Sequence, residues 1–347
     1  MEDEGRMVER ICYPTLGDIP FELVEVILRY SFRADLNTRL VVPLVCRQWR
    51  NFEVVKKKTG KAPKGYCRSP YLSWGCCDLA AAGGHVELLK WLMRTFNCKW
   101  SSRTCQEAAA GGHLEVLKWL REQGCTWDTV TCYNAARGGH LEVLKWAREQ
   151  GCPWNSSICA VAAEEGHLEV LKWLREKNCP WNSDTMLRAV RKGDLEILKW
   201  VKANGCPWNL FTSSVASKRG KLEVLKWLRE EGCPWDPYTC CSAAEGGYLE
   251  VLKWLKEKQC PWDEQTCCRA ALTGQLEVLK WARAQGCPWN SSTCDYAASA
   301  GHLEVLKWAR ENDCPWSEFT YLQAGRAMHD DILHWLEENG CPQPNHR

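Results

Sequence analysis

The sequence predicts an all-α protein, with a short N-terminal helical module followed by an α-solenoid of about ten helix-turn-helix repeats. Two periodic series predict the repeats. Trp recurs ten times from Trp91 to Trp335, with a first interval of 28 residues and intervals of 27 thereafter. Cys recurs ten times from Cys98 to Cys341 at a constant interval of 27, and nine of these cysteines are followed by Trp two positions later. One fixed period indicates a repeat array in which each copy packs on its neighbours.

Each copy contains the signals for two short helices. In the copy that begins at Asn290, this residue is a candidate N-cap, the first helix runs through an Ala-Ala pair, and Gly301 ends it. The second helix is expected from about Leu303 to Glu311, and in half of the copies a Gly marks its end, before Cys and usually Pro. The other candidate N-caps are Asp128, Asn155, Asn182, Asn209, Asp236 and Asp263.

The second helix of a copy is too apolar to be stable alone. Between Leu114 and Glu122, the polar residues Glu115, Lys118 and Glu122 form one narrow stripe, and the other positions are apolar. A neighbouring copy on each side can cover these positions. We therefore expect the tryptophans of the repeat, such as Trp119, to be buried between copies.

Composition and charge exclude several classes of protein. The 347 residues include 45 Lys and Arg against 43 Asp and Glu, and the net charge of +2 favours neither a nucleic acid nor a membrane surface as partner. Hydrophobic residues make up 45% of the chain, too many for disorder, and no apolar run reaches the roughly 18 residues of a membrane span. The charged first ten residues precede no apolar stretch typical of a signal sequence. We expect a cytoplasmic protein with reduced thiols.

The motif Ala-Ala-x-x-Gly-His-Leu-Glu-Val-Leu-Lys-x-Leu, as at Ala108 to Leu120, closely resembles the ankyrin repeat. The resemblance covers residues 72–347 and implies stacked helix pairs. Ser-Thr-Cys replaces the usual Thr-Pro-Leu-His, and the unit has 27 residues instead of about 33. The missing residues fall where ankyrin repeats have a β-hairpin finger, so we expect Cys-Pro-Trp to form a tight turn in place of the long finger.

A different pattern lies in residues 14–52, outside the repeat. It reads Leu-x-x-Ile-Pro-x-Glu-Leu-x-x-x-Ile-Leu and, further on, Leu-Val-Cys-Arg-x-Trp. This run resembles an F-box, a three-helix module that docks on the Skp-type adaptor of cullin–RING ubiquitin ligases. The resemblance implies that the adaptor-binding residues are Leu16, Ile19, Pro20, Leu23, Ile27, Leu28, Leu44, Val45, Cys46 and Trp49. The alternative is a helical cap that shields the first repeat.

The remaining segments are a tail at residues 1–13 and a basic linker at residues 53–71, before the array at 72–347. The linker contains Lys56-Lys57-Lys58 together with Gly60 and Pro63. We interpret it as a solvated connection. The alternative is a nuclear-import signal, which would add the nucleus to the expected location.

Cysteine and histidine do not form a metal or catalytic site in this pattern. The adjacent pairs Cys76-Cys77, Cys240-Cys241 and Cys267-Cys268 lack the spacing of zinc ligands, and the frame cysteines are interpreted as small buried hydrophobes. Six histidines occupy one repeat position, in the turn between the two helices, which indicates a structural role. They are His85, His113, His140, His167, His302 and His329. With no phosphate loop, paired-carboxylate motif or nucleophile pair, we expect neither an enzyme nor a cofactor or metal.

The four positions that flank the Ala-Ala pair vary from copy to copy. The positions that recur in nearly every copy, such as Trp, Cys, Ala-Ala and Leu-Glu-Val-Leu-Lys, are called the frame. Because first-helix positions like the four variable ones line the concave recognition surface of ankyrin repeats, the resemblance implies a protein-binding face. Its candidate residues are Gln106, Glu107, Tyr133, Asn134, Arg137, Glu164, Glu165, Leu187, Arg188, Arg191, Lys192, Lys218, Arg219, Glu245, Arg269, Asp295 and Tyr296. The five cations from Arg188 to Arg219 would form a basic patch. The alternative is neutral variation on a solvated face.

Together, these features predict a non-catalytic adaptor. The F-box-like segment would dock the Skp-type adaptor, and the array would hold an unidentified client protein beside the ubiquitin-transfer machinery, which raises its effective concentration. A structural or scaffolding ankyrin-repeat protein is the competing hypothesis. A third, less favoured hypothesis is that the basic patch binds nucleic acid, against which the net charge of +2 argues.

Overall fold

The computed structural model describes residues 77–96 and 99–344, and within these ranges the regular secondary structure is entirely α-helical. The segments predicted as F-box-like module and linker lie outside the described residues. The first helices of the repeats are Ser102–Ala110, Thr129–Arg137, Ser156–Glu165, Ser183–Lys192, Phe211–Lys218, Pro237–Gly246, Glu264–Leu272, Ser291–Ser299 and Glu318–Arg326. The second helices are Val86–Phe96, Leu114–Glu122, Leu141–Glu149, Leu168–Glu176, Leu195–Ala203, Leu222–Glu230, Leu249–Glu257, Leu276–Ala284, Leu303–Glu311 and Asp330–Glu338. The predicted helix pairs without a β-hairpin finger are confirmed for these residues.

The described chain forms two compact units. The first contains the described residues up to Ile158 together with Lys172–Lys177, and the second contains Cys159–Leu171 and the residues from Asn178 onward. Within each unit, a first helix packs against the first helix of the next repeat and against the second helix of its own repeat. Stacking of first helices is therefore the main contact between copies.

Side-chain caps begin the first helices, as the sequence predicts. The side-chain oxygens of Asp128, Asn209 and Asn290 each accept a hydrogen bond at 3.0 Å from the backbone N–H two residues later. Asp236 instead forms a capping box with Thr239. Such bonds satisfy N–H groups that have no partner inside the helix. The remaining predicted caps make the same contact: Asn155, Asn182 and Asp263.

Small side chains form the contact between neighbouring first helices. Thr104, Cys105, Ala108 and Ala109 are fully buried, and their equivalents are buried in most of the described repeats. Their small volume allows the helix backbones to approach closely. In the second helices, the Val-Leu pair of each Glu-Val-Leu-Lys segment is buried and supplies most of the larger apolar side chains of the core.

The described frame cysteines are buried, as expected, and several of them form hydrogen bonds. Cys125 Sγ donates to the carbonyl oxygen of the N-cap residue Ser101 at 3.2 Å, and Cys105 Sγ donates to Cys125 Sγ at 3.1 Å. This hydrogen bond, with burial, raises the pKa of the Cys105 thiol, which keeps it protonated. Cys152 repeats the bond to an N-cap carbonyl at 3.3 Å. In these turns the cysteine thus joins the end of a repeat to the start of its first helix, and Cys206, Cys260, Cys287, Cys314 and Cys341 do the same.

The expected burial of the tryptophans is wrong for most of the described copies. Apart from Trp227, which is 7% exposed, every repeat tryptophan whose side chain is described is half-buried. Trp146 makes an edge-to-face contact with Trp127 of the preceding turn, with ring centroids 5.7 Å apart. Arg121 lies over the Trp127 ring at 4.2 Å and donates to Cys125 O at 2.5 Å. The tryptophans therefore close the turns at the surface, because the smaller Val and Leu side chains fill the interior.

The Gly-His turn connects each repeat to the preceding one. His140 Nε2 lies 3.0 Å from the carbonyl oxygen of Ala110, at the end of the preceding first helix, where carbonyls have no partner inside the helix. Gly112 has φ +76°, and a Cβ added there would lie 2.5 Å from His140 Nδ1. His113 makes the equivalent contact with Ala82 O at 3.0 Å. These contacts support the structural role expected for the histidines.

We predict that Gly112→Ala destabilises the protein more than Gly124→Ala. Both glycines have positive φ, so an added Cβ costs each variant about 1–2 kcal/mol. Only at Gly112 does the new methyl group also meet the His140 ring, whereas nothing lies within 4 Å of it at Gly124. Urea unfolding followed by tryptophan fluorescence measures both free energies. In a double-mutant cycle, His140→Ala should remove most of the additional destabilisation that Gly112→Ala shows relative to Gly124→Ala. Equal destabilisation by the two glycine variants would contradict this account.

Candidate binding face

The first-helix face is defined here as the solvent-accessible side chains on both sides of the buried Ala-Ala positions of the first helices. Its residues are held in place by the caps and by the packing of one first helix on the next. Sequence candidates that are half-buried are Gln106, Glu107, Tyr133, Asn134, Glu164, Leu187, Arg188, Glu245, Arg269 and Tyr296. Candidates that are exposed are Arg137, Glu165, Arg191, Lys192, Lys218 and Arg219.

In the first unit, amide side chains of this face join adjacent repeats. Gln106 Nε2 donates to both carboxylate oxygens of Asp128, at 3.1 and 3.0 Å. Asn134 Nδ2 donates to the carbonyl oxygen of Gln106 at 3.3 Å. These contacts fix the orientation of Gln106 and Asn134, so both residues contribute to the packing of repeats as well as to the surface.

In the second unit, one carboxylate joins two first helices. Arg188 Nη1 and Arg191 Nη1 donate to the two oxygens of Glu164, at 2.5 and 3.2 Å. Arg188 Nε also donates to Asp184 at 2.9 Å. Burial raises the pKa of Glu164, but the hydrogen bonds from the two guanidinium groups outweigh it and hold that pKa below its usual value. The cluster is therefore charged at neutral pH and nearly balanced.

The rest of the expected basic patch is only partly neutralised. Lys218 Nζ lies 2.6 Å from Glu245 Oε1, across two neighbouring repeats. Lys192 and Arg219 are exposed and occupy equivalent positions one period apart. Neither Lys192 nor Arg219 takes part in the ion pairs of the described residues. The first-helix face of this unit therefore has an excess of positive charge at the helix C-termini.

The expectation that Asp295 belongs to a binding face is wrong. Its side chain is 8% exposed and accepts a hydrogen bond from Thr320 Oγ1 at 2.6 Å. Burial raises its pKa, against the effect of the hydrogen bond from Thr320. Asp295 joins its first helix to the next one, as Asp78 does with Thr104 at 2.7 Å. It is a packing residue and is not part of the first-helix face.

Sequence reasoning missed a set of exposed apolar side chains near the start of the first helices. Phe211, Tyr238 and Phe319 occupy one repeat position, the first or second residue of the first helix. Val130 is exposed at the same position, and Leu210 is exposed beside Phe211. The signal was present in the sequence, since most other copies have a polar residue there. Leu210, Phe211 and Tyr238 lie on neighbouring repeats, and contiguous exposed apolar surface marks a site of interaction, whereas a single exposed apolar side chain does not.

Residues 77–96 and 99–344 contain neither a candidate metal site nor a candidate membrane span. In these ranges, no cluster of three or more His, Cys, Asp and Glu side chains has an arrangement that could hold a metal ion. None of the helices there combines the length and the apolar character needed to span a membrane.

We predict that Glu164→Gln lowers the free energy of unfolding by up to about 1 kcal/mol at pH 7, because it removes the acceptor of two arginines. The folded pKa of Glu164 lies below the unfolded value of about 4.3, so its stabilisation is present above that value and is lost as the pH falls through the folded pKa. Urea unfolding at pH 7 and at about pH 3 measures the difference. Glu231→Gln, at an exposed position, is the control; a difference that does not shrink in acid would contradict the assignment.

Comparison with known proteins finds one family model and a similar solved structure. The family model described as "Ankyrin repeats (many copies)" matches residues 105–148. The crystal structure of the human ASB11 ankyrin repeat domain is similar over 48% of this chain and 85% of that chain, with 23% identity and a TM-score of 0.39. No curated protein matches. Residues 105–148 are thus similar to ankyrin repeats, and the helix pairs on either side continue their 27-residue pattern.

Proposed function

We propose that the protein is a non-catalytic adaptor that binds a client protein through the first-helix face and serves as the substrate-recognition subunit of a cullin–RING ubiquitin ligase. The main support for the adaptor function is that each repeat has one set of constant, buried residues and a second set of variable, accessible residues. The Thr-Cys, Ala-Ala and Val-Leu positions are buried and nearly constant, whereas the accessible first-helix positions vary in charge and size. An array of this kind presents a large surface without the geometry of a catalytic site.

The ligase link depends on residues 14–52, whose resemblance to an F-box was noted above. Its support is the presence on one chain of an adaptor-docking motif and a protein-binding array. Leu23 and Trp49 belong to the two halves of the motif, which are separated by the less typical segment around Ser31 to Arg39. In this proposal the chain contributes no chemical step, and it acts by holding the client close to the transfer machinery.

We predict that the full-length protein captures a purified Skp-type adaptor, and that Leu23→Asp combined with Trp49→Ala reduces capture at least tenfold. A charge at an apolar contact and the loss of an aromatic anchor each remove docking energy, typically by about 2 kcal/mol or more. Immobilised adaptor and size-exclusion chromatography of the mixture measure the effect.

Glu4→Ala, in the predicted tail, is the matched control and should leave capture unchanged. Circular dichroism verifies that the repeats remain helical in all variants. If the wild type captures no adaptor, or if the double variant captures as much as the wild type, residues 14–52 do not link the array to a ligase. Client binding by a protein without adaptor capture would favour the scaffolding alternative.

A further inference from the structure

Large apolar side chains lie exposed at the start of two neighbouring first helices in the second unit. Leu210, Phe211 and Tyr238 are 63%, 58% and 44% exposed. Phe211 and Tyr238 occupy the same position in consecutive repeats, and their helices pack directly on each other. Because packed helices lie about 8–10 Å apart, the three side chains form one apolar edge. Contiguous exposed apolar surface in a folded domain marks a site of interaction.

The opposite end of the same group of helices is positively charged. Lys192 and Arg219, at equivalent positions, are exposed and take no part in the ion pairs of the described residues. Lys218 is next to Arg219, and its charge is shared with Glu245 at 2.6 Å. The cations thus outnumber the carboxylates that could neutralise them, and this end attracts a negatively charged group.

Mostly small side chains lie between the two ends. Ser214, Cys241 and Ser242 occupy the middle of the two first helices, and all three are buried. Val215 is half-buried between Phe211 and Lys218 and adds an apolar contact there. This surface, called the groove below, therefore has an apolar contact at one end and a cationic contact at the other.

The length of this groove sets the distance between the apolar and the acidic side chains of a ligand that contacts both ends. Lys218 and Arg219 follow Phe211 by seven and eight residues, which is about 10–12 Å along a helix that rises about 1.5 Å per residue. An extended chain covers this distance in three or four residues, at about 3.3 Å per residue. An extended peptide can therefore reach both ends at once without folding.

We infer that this groove binds an extended segment of a partner protein in which a large apolar or aromatic side chain is separated from acidic side chains by three or four residues. The apolar side chain packs on Leu210, Phe211 and Tyr238, and the acidic side chains pair with Lys192 and Arg219. The inference rests on the protein-binding part of the proposed function and does not depend on the ligase link.

The test is a selection of random twelve-residue peptides, displayed on phage, against the full-length protein. The expected sequences combine an aromatic or large aliphatic residue with Asp or Glu three or four positions away, in one orientation. Fluorescence anisotropy then measures the affinity of the selected peptides for the protein and its variants, and it should fall as salt is added, because salt screens the charged contact.

Two pairs of substitutions separate the two contacts. Phe211→Ser with Tyr238→Ser should weaken binding of the selected peptides about tenfold or more, as loss of a central aromatic contact does. Lys192→Glu with Arg219→Glu should weaken it similarly, and a new selection against this variant should yield Lys and Arg in place of Asp and Glu. All four side chains are exposed, so the variants are expected to fold, and circular dichroism checks this.

Phe319→Ser and Lys145→Glu are the matched controls, since Phe319 has the repeat position of Phe211 in a later copy and Lys145 lies on a second helix. The inference is overturned if no peptides are enriched, if they lack the acidic residues, or if the controls weaken binding as much as the groove variants. Stronger competition by a short single-stranded oligonucleotide than by the acidic peptides would also overturn it. Because capture of the Skp-type adaptor is measured separately, failure here is distinguishable from failure of the ligase link.

Discussion

The packing of one first helix on the next is the interaction on which the rest of the structure depends. A 27-residue copy has two helices with buried faces and too few residues to cover both. The Thr-Cys and Ala-Ala positions allow close approach of neighbouring first helices, and burial between copies supplies the stability that one copy lacks. The caps, the turn cysteines and the Gly-His contact then fix how one copy follows another within each unit.

The short turn has a consequence for recognition. In the turn that follows Leu114–Glu122, the thiol of Cys125 donates to the N-cap carbonyl and Arg121 contacts Trp127 and Cys125 O, so side chains close the turn without a β-hairpin. Without a finger beside it, the start of each first helix remains accessible. Apolar residues such as Phe211 and Tyr238 are exposed for this reason, and the helix itself becomes the surface available to a partner.

Most of the helix pattern was predictable because the residues that begin and end helices recur in most periods of the sequence. The N-cap at Asn290 and the Gly-His turn were identified from such signals, and the helix bounds followed. The environment of individual side chains was less predictable. Trp119 lies at the surface because Val116 and Leu117 fill the interior, and Asp295 is buried because Thr320 of the next copy pairs with it. Both outcomes depend on a neighbouring copy, which a single repeat sequence does not describe.

Deletion of one complete period tests the central claim, that the 27-residue copy is the unit of packing. Removing residues 263–289 joins Trp262 to Asn290 and exchanges one N-cap for another, whereas removing residues 276–289 takes away one second helix and its turn. For the complete deletion, circular dichroism should show unchanged helicity per residue, and urea unfolding should remain cooperative. For the partial deletion, the helicity per residue should fall and the cooperative transition should be lost. Equal behaviour of the two deletions would contradict the account.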